Sequence, residues 1–441
     1  MKLSRLKLRI QSVFQNVYTG INGSLSSADF VAEHRLKAGA FTRQRDLPFE
    51  RLVAFLMKPR ARSTETELAS FFAALEGEAV ASEVPTRSAV SKARKGLAAS
   101  VFEALNRQAV AGFFSGFGRP TWHGFRLRAV DGTTFRLPDG EDIERFFGAQ
   151  SSGPVLARGS LLYDLDLEMV LDFAVAAYCV SELELAVDHL KATAPGDLVI
   201  YDRGYPAFWL FALHRTLGVD CVMRLPRKQF KEAEPFWHSD APSALITLHP
   251  SAEQARACRD QGAEPDPITL RLVRVKLKGG ETEVLATTVL EETRLPARLF
   301  KDLYHRRWGL EEGGYKVTKV RAEMENLSGR TSLAVRQNMH AKVLAMNLAA
   351  MLRAVAQLVA KRLYKARRFD YKVRMTSALS HLSDQLFHLL YASPSGCAEL
   401  ITRIIQRLSQ TTEQVRPGRS FPRHNPGQRK AGYHIPHKRV V

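Results

Sequence analysis

Cysteine is scarce in this chain: Cys179, Cys221, Cys258 and Cys397 are the four among 441 residues. They are scattered, form no CxxC pair and have no histidine at zinc spacing. That excludes a zinc ribbon and a disulfide scaffold, and points to thiols in a reducing compartment. Acidic residues are also in deficit, 45 against 64 Lys and Arg, for a formal charge of +19. Such an excess repels itself unless the partner is a polyanion, and nucleic acid is the usual one. No run approaches the roughly 18 or more apolar residues of a membrane helix. The start, Met1 to Arg9, is charged throughout and lacks the apolar core of a signal peptide. The expectation is a cytoplasmic protein without a membrane partner.

Against this basic background three carboxylates have distinctive settings. Asp131 interrupts the apolar run from Phe125 and is followed by Gly132-Thr133-Thr134. Asp202 ends Leu198-Val199-Ile200-Tyr201, and Glu311 follows the cationic and aromatic cluster Tyr304-His305-Arg306-Arg307-Trp308. A carboxylate at the end of a buried strand is costly unless something cationic compensates it. A divalent metal does that best, and hard oxygen ligands from distant parts of the chain are what Mg2+ prefers.

The length allows two or three domains. Residues 1–120 read as helical and basic. Within them Thr86 is an expected N-cap and Gly96 an expected stop for a helix carrying Arg87, Lys92, Arg94 and Lys95. That helix is either a recognition helix or a solvated amphipathic one. The middle then changes period. Strands are expected over 125–136, 161–163 and 170–177, a helix over 182–190, a strand over 198–201, a helix over 206–217 and a strand over 220–224. Residues 226–295 alternate in places around the turn Gly279-Gly280 and read as an inserted β-subdomain, with helix returning near Ala297. This order is that of an α/β fold, a ribonuclease H-like catalytic core over 121–326 containing the insertion. A helical C-terminal region, 327–441, ends in a basic tail without acid from Arg416, expected to be extended or disordered.

From about residue 85 to the C-terminus the chain resembles the DDE transposases of bacterial insertion sequences, of the insertion-sequence-four type. Val130-Asp131-Gly132-Thr133 is similar to the family's first-Asp strand, and Tyr201-Asp202-Arg203-Gly204-Tyr205 to its second-Asp motif. Tyr304, Arg307 and Glu311 match its Tyr, two residues, Arg, three residues, Glu signature. Glu325-Asn326-Leu327-Ser328-Gly329 is similar to the segment that follows. The signature continues with six residues and Lys, a slot held here by Thr318, while Lys319 comes one later and selects Glu312 instead. A one-residue insertion at Gly313-Gly314 reconciles the counts. Arg307 and Glu311 share a helix face at i and i+4, which favours Glu311 and keeps Glu312 as the alternative.

The resemblance implies a DNA transposase that cuts element ends and transfers the strands into target DNA. Asp131, Asp202 and Glu311 would be the catalytic ligands of two Mg2+ ions, with Mn2+ as a substitute. Tyr304, Arg307, Lys319 and Arg203 would contact phosphates near the cut. Arg87, Lys92, Arg94 and Lys95 would read the element end, and Trp237 of the insertion would receive an unstacked base in a hairpin intermediate. The partners implied are the terminal inverted repeats, target DNA and a second protomer, at the bacterial nucleoid. Two other readings stay open: a catalytically decayed DNA-binding protein derived from a transposase, and a ribonuclease H-like structure-selective nuclease.

Overall fold

In a computed structural model of the chain, the described residues are 3–42, 47–58, 63–150, 153–277, 280–307, 314, 319 and 322–416, with backbone alone over 3–12. The basic tail beyond Arg416 lies outside them. Six helices come first: α1 (Leu3–Ser26), α2 (Ala28–His34), α3 (Phe49–Met57), α4 (Thr64–Glu76), α5 (Arg87–Arg94) and α6 (Ser100–Phe117). Next are β1 (Arg126–Arg136), α7 (Glu141–Phe147), β2 (Leu156–Asp164), β3 (Met169–Ala177), α8 (Glu182–Leu190), β4 (Asp197–Tyr201), α9 (Phe208–Leu217) and β5 (Asp220–Arg224). Then follow α10 (Glu234–Trp237), β6 (Ser243–Leu248), α11 (Ala252–Asp260), β7 (Ile268–Lys276), β8 (Thr282–Thr287) and α12 (Phe300–Arg306). The chain closes on α13 (Ser332–Leu363), β9 (Tyr371–Val373), α14 (Met375–Tyr391), α15 (Pro394–Gln410) and β10 (Thr412–Gln414).

The contacts divide the chain into two compact units, each discontinuous. One is Met1–Gly118, Phe135–Ala157 and Val317–Val441; the other is Arg119–Thr134 and Arg158–Lys316. The cause is that the long helix α13 packs against α6 as well as against α14 and α15, so N- and C-terminal helices share one core.

The second unit is organised by an eight-stranded sheet in the order β3-β2-β1-β4-β5-β8-β7-β6. Strands β1, β4 and β5 run parallel. Every residue of β4 is buried, as a strand covered on both faces requires. The expected β-insertion at 226–295 supplies strands β6, β7 and β8. Strands β8, β7 and β6 pair antiparallel onto β5, Val222 facing Thr287, and so extend the same sheet. An unpaired edge at β5 would leave a row of backbone donors and acceptors exposed, and β8 satisfies them.

The register of β1 and β4 is held at their N-terminal ends by charge. Arg126 Nε lies 2.7 Å from Asp197 Oδ1 and Arg128 Nη2 3.3 Å from the same oxygen. Arg128 also pairs with Asp164 at the end of β2, and both side chains are buried. Helix α12 covers the sheet face formed by Phe125, Leu127, Leu198, Ile200 and Val222, through Phe300, Leu303 and Tyr304.

In the helical unit, α1 approaches α6 closely because α6 offers glycine: a Cβ on Gly116 would meet Val13 Cγ2 at 2.6 Å. Among the described residues α13 alone is long and apolar enough to cross a membrane, which the residue runs did not bring out, yet 83% of its most apolar window is buried inside the protein. It is the core helix of this unit. Asn347 of α13 donates to Asn106 of α6 at 2.6 Å within that core.

Helix α5 forms as expected, with the Thr86 hydroxyl accepting from Ala89 N–H. Its cations divide. Arg87, Lys92 and Lys95 are exposed, but Arg94 is buried and not on the solvated face. Its guanidinium donates to Gln337 Oε1 (2.9 Å), the Ala334 carbonyl (3.0 Å) and Ser328 Oγ (3.1 Å). Gln337 in turn donates to the Arg94 and Leu97 carbonyls, so the pair ties α5 to the start of α13. Arg94 is thereby corrected from a DNA-reading residue to a buried tie. Arg94→Ala should lower stability by about 3 kcal/mol in urea denaturation, since it strands buried acceptors, while leaving the choice of DNA sequence unchanged.

Candidate active site

The site starts from strand register. β1 and β4 pair Leu127 with Leu198 and Ala129 with Ile200. Continued by two residues, this register sets Asp131 beside Asp202, on neighbouring strands about 4.8 Å apart. Side chains alternate along a strand, so Asp131 shares a face with Leu127, and Asp202 with Leu198 and Ile200. That is the face that α12 covers. The two carboxylates therefore emerge where an apolar layer ends.

Helix α12 and its C-cap bring two polar groups to them. The Tyr304 hydroxyl donates to Asp202 Oδ1 at 3.1 Å. Arg307 Nη1 lies 3.9 Å from Asp131 Oδ2, and its guanidinium sits 5.3 Å from the centre of the Tyr304 ring. The i, i+3 spacing of Tyr304 and Arg307 places both on one helix face. Both are buried, at 4% and 3% exposure. Tyr304 thus donates to Asp202 and Arg307 faces Asp131, so both expected phosphate contacts stand beside the two aspartates. Asp202 follows β4 directly and caps no helix, since α9 begins only at Phe208 behind Ala207.

The other expected residues fall as follows. Arg203 is exposed. Lys319 is half-buried over the Phe135 ring, 5.4 Å from its centre, and burial lowers its pKa against the pull of Glu325. In the same unit Glu325 accepts from Arg136 N–H at 3.0 Å, and Ser328 receives Arg94, so the segment after the signature is structural. Trp237 closes α10, half-buried, with its indole N–H buried and without an acceptor among the described residues. Glu311 and Glu312 lie outside the described residues. Sequence reading missed Glu182 and Arg158 as members of this neighbourhood, and Tyr205 entered only as the end of the second-Asp motif. The local signal for Glu182 was glycine at 132, directly after the first aspartate.

Burial pushes the Asp131 carboxyl up to about 6. The Gly132 N–H and Arg307 oppose that rise, while the charges of Asp202 and Glu182 add to it. Among the described residues two cations, Arg307 and Arg158, face three carboxylates, Asp131, Asp202 and Glu182, which leaves the site short of positive charge, with oxygen donors alone. Those donors fit a hard divalent ion. Among the described residues no three acids form a closed metal cage.

Residues 122–348, just over half of the chain, match the family model of the transposase DDE domain. The chain belongs to that family: it is a DNA transposase, an enzyme of DNA cleavage and strand transfer. Among curated proteins it is similar to transposase InsG for insertion sequence element IS4 of Escherichia coli, 24% identical over 343 residues, covering 76% of this chain and 75% of that protein. Among solved structures it is similar to piggyBac transposase in a synaptic complex with hairpin DNA, at 12% identity over 94% of this chain and 87% of that one. The TM-score is 0.41, too low to add to the assignment.

Because the folded-state pKa of Asp131 lies above its unfolded value, the chelator-treated protein is more stable with this group protonated. That contribution is complete below about pH 4 and is lost as the pH rises through about 6. Asp131→Asn should therefore flatten this part of the pH–stability curve. It should also raise stability at pH 7.5 in chelator by less than about 3 kcal/mol, read as a higher Tm. An unchanged curve in thermal melts from pH 4 to 7.5 would contradict the assignment of the shift to Asp131.

Proposed function

We propose that this chain cuts DNA at the terminal inverted repeats of its element and joins the freed 3′ ends to target DNA, using Asp131, Asp202 and Glu311 as ligands of two Mg2+ ions, with Mn2+ as a substitute. The observation that carries this reading is the side-by-side placement of Asp131 and Asp202 at the edge of an apolar layer, short of positive charge. The bound ions would stabilise the attacking and leaving oxygens of an in-line displacement at phosphorus. The chain's own groups prepare for this. Tyr304 fixes one oxygen of Asp202 and leaves the other to bind. Arg307 opposes protonation of Asp131. The apolar layer of Leu127, Leu198 and Ile200 excludes water from behind the carboxylates. No protein nucleophile is required.

We read β1 to β5, in the order β3-β2-β1-β4-β5, as a ribonuclease H-like core. Arg87, Lys92 and Lys95 of α5 would hold the element end. Lys92 and Lys95 line a cavity of about 940 Å3 together with Lys37, which supports a phosphate-binding role. Arg203 would add a phosphate contact, Lys319 would serve near the cut end, and Trp237 would stack the unpaired base of a hairpin. Two ends require two active sites, so the active complex would hold two protomers, at the bacterial nucleoid.

Replacing Asp202 by Ala should abolish cleavage of end DNA in Mg2+, with end binding within about threefold of wild type, because phosphate contacts dominate affinity. Retained cleavage would overturn the reading. Comparison of Glu311→Ala with Glu312→Ala decides the third ligand: the variant that loses cleavage is the one. Removing residues 416–441 should flatten the salt dependence of DNA binding by about one unit of slope for each phosphate-bound cation lost, at unchanged sequence preference.

A further inference from the structure

A further carboxylate reaches the same place from another direction. Glu182 opens α8, directly after Ser181, whose hydroxyl and Glu184 form a capping box that fixes the start of the helix. The Glu182 carboxyl lies against the backbone of Gly132, next to Asp131. A Cβ on Gly132 would stand 2.2 Å from Glu182 Cδ and 2.5 Å from Oε1. With one further bond, the carboxyl carbon is within about 4 Å of the Gly132 Cα. Any residue other than glycine at 132 would expel this carboxylate.

Two neighbours bear on this carboxylate. The Tyr205 hydroxyl is buried, with the side chain 2% exposed, and has no hydrogen-bond partner among the described residues. It sits within the field of Asp131, Glu182 and Asp202 together. A buried hydroxyl is costly to leave unpaired, so a carboxylate that comes within its reach gains a hydrogen bond. Arg158 meanwhile holds Glu182: its Nη1 lies 2.9 Å from Oε1, and the guanidinium rests over the Tyr178 ring at 4.7 Å. With its carboxylate engaged by Arg158, Glu182 is kept out of a closed ligand set.

We propose that Glu182 is a further carboxylate of the cation site at Asp131 and Asp202, and that Arg158 is the internal counter-ion which holds it until a divalent cation takes its place. When Arg158 lets go, Tyr205 becomes the hydrogen-bond donor that orients the released carboxylate. This deepens the metal-dependent reading above and rests on it. Gly132 is then part of the site, because it makes room for Glu182.

The test is calorimetric titration of the full chain with Mn2+, without DNA, in four forms: wild type, D131N, E182Q and R158Q, each checked by circular dichroism. Glu182→Gln should weaken Mn2+ binding about tenfold, as loss of a carboxylate in a metal site does. Arg158→Gln should tighten it several-fold, because it removes the competitor. Opposite signs are the signature, since an ion pair that serves the fold alone would move both variants the same way. D131N should lose binding. If E182Q and R158Q both match wild type, or both weaken, while D131N is defective, the role of Glu182 is overturned and the metal reading stands. If D131N binds Mn2+ like wild type, the metal reading falls and takes this proposal with it. Should E182Q fail to fold, R158Q decides: tighter binding supports the proposal, and unchanged or weaker binding overturns it.

Discussion

The site depends on one pairing, that of β1 with β4. Their parallel register puts Asp131 beside Asp202, and a slip of one residue would turn one of the two acids to the opposite face of the sheet. The strands carry charge at their other end to prevent that slip. Arg126 and Arg128 of β1 meet Asp197 of β4, and Arg128 also meets Asp164 of β2. Buried ion pairs of this kind add little net stability against an apolar replacement. A misregistered sheet, however, would strand their charges unpaired, at a cost of several kcal/mol. The same two strands thus hold a closed set of charges at one end and an open set at the other.

The open end is poorly neutralised. The sheet and α12 remove water from the Asp131 carboxyl, and burial outweighs the pull of Arg307. An acid kept out of water beside other acids raises the free energy of the folded chain, and a divalent cation is the species that relieves it. Arg307 and Tyr304 are set to moderate this tension without removing it. Tyr304 takes one oxygen of Asp202, and Arg307 stays 3.9 Å from Asp131, longer than a close ion pair. The rest of the chain carries the opposite excess, +19 overall, which favours the approach of a polyanion.

The helical unit shows a second use for a cation. Arg94 stands in a run of basic residues, yet it is bound to Gln337 across 243 positions of chain. Its planar fork satisfies three acceptors at once, which the single ammonium of Lys92 or Lys95 would do less well. Those lysines remain on the exposed side of α5.

Much of this was legible in the residues. β1 and β4 are apolar runs ended or interrupted by aspartate. Helix α8 was read at its observed bounds because capping and periodicity agree. The first and second aspartates and the Tyr–Arg spacing of α12 were visible for the same reason: each is local in sequence. What only the tertiary structure decided is which partner each exposed edge or charge finds. Strands β6 to β8 look like a small sheet of their own until β8 pairs with β5. Tyr304 has no visible partner until its helix lands on Asp202. Arg94 looks like Lys92 until α13 arrives beside it. Glu182 looks like an ordinary first-turn acid until the missing side chain of Gly132 admits it next to Asp131. Local backbone preference and side-chain period determine what an element is and which way it faces. The energy of a strand edge or a charge is settled by what packs against it, and here that comes from far along the chain.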